Sequence, residues 1–307
     1  MNKRLAVLLG ILLAGRGVWA QEDTGKLRVL LSTGYQSENF HWSIAGNSAG
    51  QGPNVYSELK WRRVSGPVAG LGLEWEAWRR WCLFAGGSRA FIRSGTVTDT
   101  DYGLDNRNDV LYSQSFSDHN GYSYAWSAGI GYRLLAGALR LTPYLGYGGD
   151  GQSLSVSDAG GAYLYSSLNS HYTTRWSGPL VRVDAGWRLG RRWGLEGRVV
   201  YHQVNYSAKA DWNLISTFSH PVSFEHTADG YGIEAVAGLR YRVGRWFDAG
   251  VGARYFDWRT GKGIDALYLA SGQTDKTQLN GVVRQGWEGF IRISGCLPGW
   301  PGPRGRR

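Results

Sequence analysis

Between Tyr122 and Leu134 the chain reads YSYAWSAGIGYRL and alternates with a period of two. Tyr122, Tyr124, Trp126, Ala128, Ile130, Tyr132 and Leu134 share one face, and Ser123, Ala125, Ser127, Gly129, Gly131 and Arg133 share the other. Successive side chains of a strand point to opposite sides, so the segment predicts a strand with one apolar face. The pattern recurs over 231–243, where Tyr231, Ile233, Ala235, Ala237, Leu239, Tyr241 and Val243 oppose Gly232, Glu234, Gly238, Arg240 and Arg242. It recurs again over 181–189, with Val181, Val183, Ala185, Trp187 and Leu189 against Arg182, Asp184, Gly186 and Arg188. A soluble sandwich would carry its charges outside and compact aliphatics within. Here the apolar face is rich in Tyr and Trp near strand ends, and the other face mixes Gly with charge. Lipid-facing positions that alternate with lumen-facing ones, between aromatic girdles, mark a bilayer-spanning barrel. The pattern predicts an all-β fold, a transmembrane antiparallel up-and-down β-barrel of an outer membrane of the Gram-negative type.

Short and long connections alternate along the chain. Strands are expected near 27–42, 53–77, 81–99, 112–135, 138–157, 171–189, 193–210, 226–243, 246–260 and 277–293. Tight turns fall near Trp78–Arg80, Ala136–Gly137, Gly190–Arg192 and Gly244–Arg245. Longer loops fall near 43–52, 100–111, 158–170, 211–225 and 261–276. Ten strands with short turns at one rim and long loops at the other fit an outer-membrane barrel. Pro143 and Pro179 fall in or at the start of strands, where each removes a ladder donor.

The N-terminus is consistent with export. Met1 to Arg4 is basic, Leu5 to Ala14 is a short apolar run, and Val18–Trp19–Ala20 is an acceptable cleavage site. Residues 1–20 are therefore expected to be a signal peptide, 21–293 the barrel, and the Gly-, Pro- and Arg-rich stretch 294–307 an irregular tail that impairs assembly. A run of ten apolar residues is too short to span a bilayer as a helix. A mean hydropathy of −0.33 excludes a helical membrane protein and leaves a barrel open, because half of its strand positions face inward. Cys82 and Cys296 belong near the periplasmic rim on strands that are not neighbours, so free thiols are expected.

The formal net charge is +10, three of it from Lys3, Arg4 and Arg16 of the signal peptide. Arginines crowd the short turns and aspartates the long loops, and no compact Lys/Arg face with stacking aromatics appears. Nucleic acid is not an expected partner. A ten-stranded barrel is narrow and filled by side chains. The inward Glu74, Arg182, Asp184, Arg188, Glu196, Arg198, Glu234, Arg240, Asp248 and Arg254 are expected to form a paired network across it, which argues against a general porin.

Candidate chemistry lies at the long-loop rim. Asp99 and Asp101 end the third strand and Asp211 ends the seventh, so in a ten-stranded wall they face each other across the mouth. Opposed carboxylates can orient and deprotonate a water for attack on a carbonyl. Chance acidic loop residues would give the same arrangement.

VYSELKWR (55–62), GTVTDTDYGLD (95–105) and YLGYGGDGQSLSVSDAGGAYLYSS (144–167) resemble the omptins, ten-stranded outer-membrane proteases. The resemblance implies a carboxylate pair at Asp99 and Asp101, and matches YHQVNYSAKADWN (201–213) to the region of the facing dyad, with Asp211 as its aspartate. Where the family has its catalytic histidine, this chain has Asn213, which can orient a water but cannot take its proton. His220 and His226 follow as substitutes, read otherwise as a loop residue and the start of the eighth strand. The resemblance also implies an endopeptidase favouring basic peptides, and lipopolysaccharide bound on the outer wall at Arg175, whose bland reading is an interface anchor. It implies neither cofactor nor metal. Two readings stand: a barrel with a water-activating carboxylate cleft formed by Asp99, Asp101, Asp211 and Asn213, its peptidase activity doubtful, or a non-catalytic surface barrel that kept the scaffold and lost the base.

Overall fold

The computed structural model describes residues 27–78, 80–136, 138–158 and 167–297. In it the alternating segments form fourteen strands of one antiparallel sheet that closes on itself. They run β1 Leu27–Ile44, β2 Ser57–Trp78, β3 Trp81–Ile92, β4 Ser94–Leu104, β5 Asn108–Ser117, β6 Gly121–Tyr132, β7 Leu134–Ala136, β8 Leu139–Ser157, β9 Asn169–Arg188, β10 Trp193–Asp211, β11 Phe224–Arg242, β12 Phe247–Thr260, β13 Gly263–Tyr268 and β14 Thr274–Leu297. Three pieces of wall are interrupted: β3 and β4 continue one another, as do β5 to β7 and β12 with β13. The barrel therefore has ten staves, in the expected sequential order. β1 closes the ring on β14, from Leu27 opposite Leu297 to Ile44 opposite Leu279.

The wall departs from the expected boundaries where ladders continue into anticipated loops. Residues 100–111 are mostly strand. The β-branched run Thr96–Val97–Thr98 and its continuation pair with Ser57–Arg62 on one side and Tyr112–Ser117 on the other, which carries β4 to Leu104. A single 3₁₀ turn, Asp105–Arg107, then leads into β5. Likewise 261–276 is largely a hairpin of β13 on β14. At the C-terminus the last strand does not stop at 293. Cys296 pairs with Arg28 and Gly295 with Phe247, so 294–297 belong to the wall. The signal peptide, Arg79, Gly137 and tail residues 298–307 lie outside the described residues. Cys82 and Cys296 are free thiols. Pro179 sits inside β9, and the β9–β10 register skips Gln203 and Val204 beside it, as the missing amide requires.

Lipid sets the outer surface. Trp75, Trp81, Tyr132, Trp187, Trp193 and Phe247 ring the short-turn end, and Tyr35, Phe91, Trp126, Tyr147, Tyr201, Tyr231 and Trp287 ring the wall higher up, all exposed. The staves continue well past the upper ring. β2 has 22 residues and β14 has 24, about twice the roughly 9–11 that a tilted strand needs to cross hydrocarbon. The upper half of the barrel thus stands outside the membrane, on the long-loop side.

Inside, the bore is filled in layers. Near the short turns Arg182 and Arg198 grip Asp184 and Glu74, Arg240 joins Glu196 and Asp248, and Arg292 reaches Glu196. Higher, Arg254 binds Glu234 and Glu288, and the buried Arg284 holds Glu38 and Asp150. The expected network is there, enlarged by Arg28, Glu38, Asp150, Arg284, Glu288 and Arg292. Arg188 is the exception: it stands exposed at the mouth with no ion pair among the described residues. Above the charges, outside the bilayer, the bore turns aromatic. Phe40, Trp61, Tyr172 and Trp42 stack at centroid distances of 5.5 to 5.8 Å, and Trp176 lies 4.4 Å from Tyr206 and 5.9 Å from Trp258.

Candidate functional site

β4 brings Asp99 and Asp101 to the inner side of the extracellular wall, two residues apart and therefore on one face. Val97, fully buried in the aromatic core, lies below them on the same face. Asp99 sits opposite Leu59 of β2 and Gln114 of β5, and Asp101 opposite Ser57 and Tyr112. Burial, and then the charge of Asp101, push the Asp99 carboxyl up to about 7. Its Oδ1 is buried without a hydrogen-bond partner. Burial raises Asp101 as well, against a hydrogen bond from Ser57. Burial is the leading cause for both carboxyls, and the neighbouring charge adds to it only at Asp99.

On the seventh stave the alternation runs the other way. Tyr206, Ala208 and Ala210 are buried in the bore, so Asp211, the next residue, projects from the opposite face. There it pairs across the ladder with His171, and His220 of the following loop meets it, Nδ1 to Oδ1 2.6 Å. A carboxylate only accepts, so His220 donates Nδ1–H and its Nε2 is left as the basic nitrogen. Asn213 is committed elsewhere. Its Oδ1 accepts from the Asn169 amide at 2.9 Å and the Ser170 hydroxyl at 3.0 Å, and its Nδ2 donates to the Ser167 carbonyl at 2.7 Å. It ties the start of β9 to the end of β10.

The four residues share the extracellular end, with a chain of ring contacts between the two pairs. The inward positions of the seventh stave hold Ala210, followed by Trp212, which packs edge-on against Phe224 at 4.9 Å. From Phe224 the ring contacts continue through Trp42 and Tyr172 to Trp61, beside Leu59 and so beneath Asp99. The carboxylate pair and the Asp211–His220 pair stand on two sides of this apolar plug. His226, the third residue of β11, is buried within the plug. It shares a 2.6 Å hydrogen bond with the Tyr172 hydroxyl, Nε2 lies 3.1 Å from Asp265 Oδ1, and Tyr172 shares a further 2.8 Å bond with Tyr206. This polar thread braces four staves. Only the side-chain parity of β11 and β9 hinted at it.

A second cluster missed by sequence reasoning lies outside the wall. Glu58 is 2% exposed and accepts both fork nitrogens of Arg107, at 3.1 and 2.8 Å, and the Lys60 ammonium at 2.5 Å. Burial opposes its ionisation, but these bonds hold its pKa below the usual range. Arg107 reaches it because the 3₁₀ turn puts Asn106 and Arg107 at φ 60° and 63°, folding the β4–β5 tip back. Arg175 faces outward on β9, opposite Gly151 of β8, where a Cβ would strike the Tyr124 ring. Tyr124 therefore lies over stave five beside Arg175, just above the upper aromatic ring.

A family model described as "Pom: Protochlamydia outer membrane protein" matches residues 30–291. No curated protein sequence matches the chain. Among solved structures, the outer membrane protease OmpT from Escherichia coli superposes with a TM-score of 0.71 at 15% identity, over 89% of this chain and 97% of that one. OprG from Pseudomonas aeruginosa gives 0.39 at 13% identity, covering 89% and 96%. The translocator domain of NalP from Neisseria meningitidis gives 0.38 at 14%, covering 95% and 93%. At that identity the OmpT likeness is one of fold. The omptin resemblance read from the sequence is thus met in architecture, and the family match is to the Protochlamydia outer membrane proteins.

Proposed function

The chain belongs to the Protochlamydia outer membrane protein family, and from that premise we propose that it serves as a closed, non-catalytic surface barrel, a structural component of the outer membrane. One observation carries this reading. The extracellular bore is a packed aromatic plug, which supports a barrel without a solute path through it. The test is to refold the protein, record conductance across a planar bilayer, and incubate it with lipopolysaccharide and fluorogenic peptides containing paired basic residues. No steady conductance and no cleavage are expected, and Asn213→His should remain inactive because that position is spent on the β9 junction. Cleavage by the parent, or its appearance in Asn213→His, would overturn the reading.

A second reading rests on the Asp211–His220 contact. With His220 in place of the missing family histidine, and Asp99 and Asp101 sharing a proton, the chain would be an omptin-like endopeptidase for basic peptides. His220→Ala and Asp99→Asn would then each lower cleavage about 100-fold to 10,000-fold, the usual worth of a positioned acid or base. On the wall, Arg175 beside Tyr124 is proposed as the anchor for a lipopolysaccharide phosphate. Its placement above the aromatic ring, at headgroup height, supports this.

A further inference from the structure

We propose that the periplasmic mouth of the bore is a binding site for a small phosphate-type oxyanion. A cavity of about 130 Å³ lies there, walled by six arginines (Arg28, Arg133, Arg140, Arg198, Arg240 and Arg292) against three carboxylates (Glu74, Asp184 and Glu196), and floored in part by Gly186. Most of these guanidinium groups are paired: Arg133 with Glu76 at 2.5 Å, Arg240 with Glu196 at 3.1 Å and Asp248 at 3.2 Å. Arg140 is not. It forms no ion pair among the described residues, and Arg133, Arg240 and Arg188 repel it against the attraction of Glu76. Arg188 at the lip has none either.

The ladder explains why these charges converge on empty space. Arg140 lies opposite Gly186, and Arg188 opposite Gly194, whose other neighbour is Arg240. A Cβ at Gly194 would come 3.3 Å from Arg240 Nη2, and one at Gly186 would meet nothing nearer than a carbonyl oxygen at 4.0 Å. Two glycines thus open notches between arginines that face inward on neighbouring staves. Guanidinium forks match tetrahedral and planar oxyanions bidentately, and a dianion would relieve the mutual repulsion of Arg140, Arg188 and Arg240. A second cavity of about 210 Å³ shares Glu74, Arg198 and Arg292 with the first, and the aromatic plug lies on its extracellular side.

The test titrates the full-length protein, refolded in a maltoside detergent at low salt, with inorganic phosphate by calorimetry. Saturable one-site binding is expected, at least tenfold weaker in Arg140→Gln/Arg188→Gln and unchanged in Lys276→Gln, an exposed cation at the extracellular end of β14. Both mouth arginines lack ion pairs, so the double variant should fold, and heat-modifiable migration checks this. Binding of sn-glycerol 3-phosphate alongside phosphate would assign the site to phosphomonoesters, and binding of phosphate alone to the free ion. No saturable binding by folded protein, or equal binding by the double variant, would refute the proposal.

Discussion

Asp99 and Arg284 illustrate opposite ways in which this bore treats a charge. Asp99 is half-buried, with one oxygen fully buried and unpartnered and a second carboxylate two residues away, so its protonated form is favoured and its pKa is pushed up to about 7. A carboxyl raised above its unfolded value of about 3.8 stabilises the fold at low pH, and that contribution is lost as pH rises toward 7. Asp99→Asn should therefore match the parent near pH 4 and exceed it at pH 8 by up to about 4 kcal/mol, since each tenfold change in proton affinity is worth about 1.36 kcal/mol. Urea unfolding at the two pH values checks this; equal gains at both would discard it. Arg284 is the reverse case, a buried cation satisfied by Glu38 and Asp150. Arg284→Met would leave Glu38 with only the Gln36 and Gln152 amides and Asp150 with only Arg254 at 3.8 Å, and should cost about 3–5 kcal/mol. The expected sign is a lower midpoint for loss of heat-modifiable migration.

At the scale of the stave, close approach decides what each position tolerates. At Gly178 of β9 an added Cβ would lie 1.8 Å from the Gln203 carbonyl oxygen, where β9 and β10 have lost a ladder bond to Pro179. Gly178→Ala must push the two staves apart, and overpacking of that kind costs about 1–3 kcal/mol. A lower yield of folded barrel and an earlier urea midpoint are expected, whereas Gly244→Ala, with nothing within 4 Å, should behave as the parent. The elements also show where reading the chain succeeded. Strict alternation over 122–134, 181–189 and 231–243 identified outward and inward faces without ambiguity, because lipid and a crowded polar bore select opposite side chains. Boundaries failed at 100–111 and 261–276, because polar residues of a strand that stands in water look like loop residues. The candidate site failed differently. Asp211 has the residue type a dyad needs, but which face it takes depends on stave parity, and its partner His220 comes from a loop nine residues on.

For the whole molecule, the charge layers and the ring-shaped girdles fix one orientation, with short turns in the periplasm and the aromatic plug outside. Cys296 faces the periplasmic mouth at the level of Arg28, and Cys82 is buried. A membrane-impermeant maleimide should label Cys296 only once the periplasm is opened. Ser48→Cys, in the exposed β1–β2 loop, should be labelled on intact cells. Labelling of Cys296 from outside would invert the topology. Composition and period two were enough to determine a ten-stave outer-membrane barrel, its lipid face and a charged interior, since those follow from which neighbours meet hydrocarbon. Whether the mouth is open, which carboxylates share a space and where arginines lack partners were decided only by the tertiary structure. These depend on register between staves distant in sequence, and period two alone carries no register.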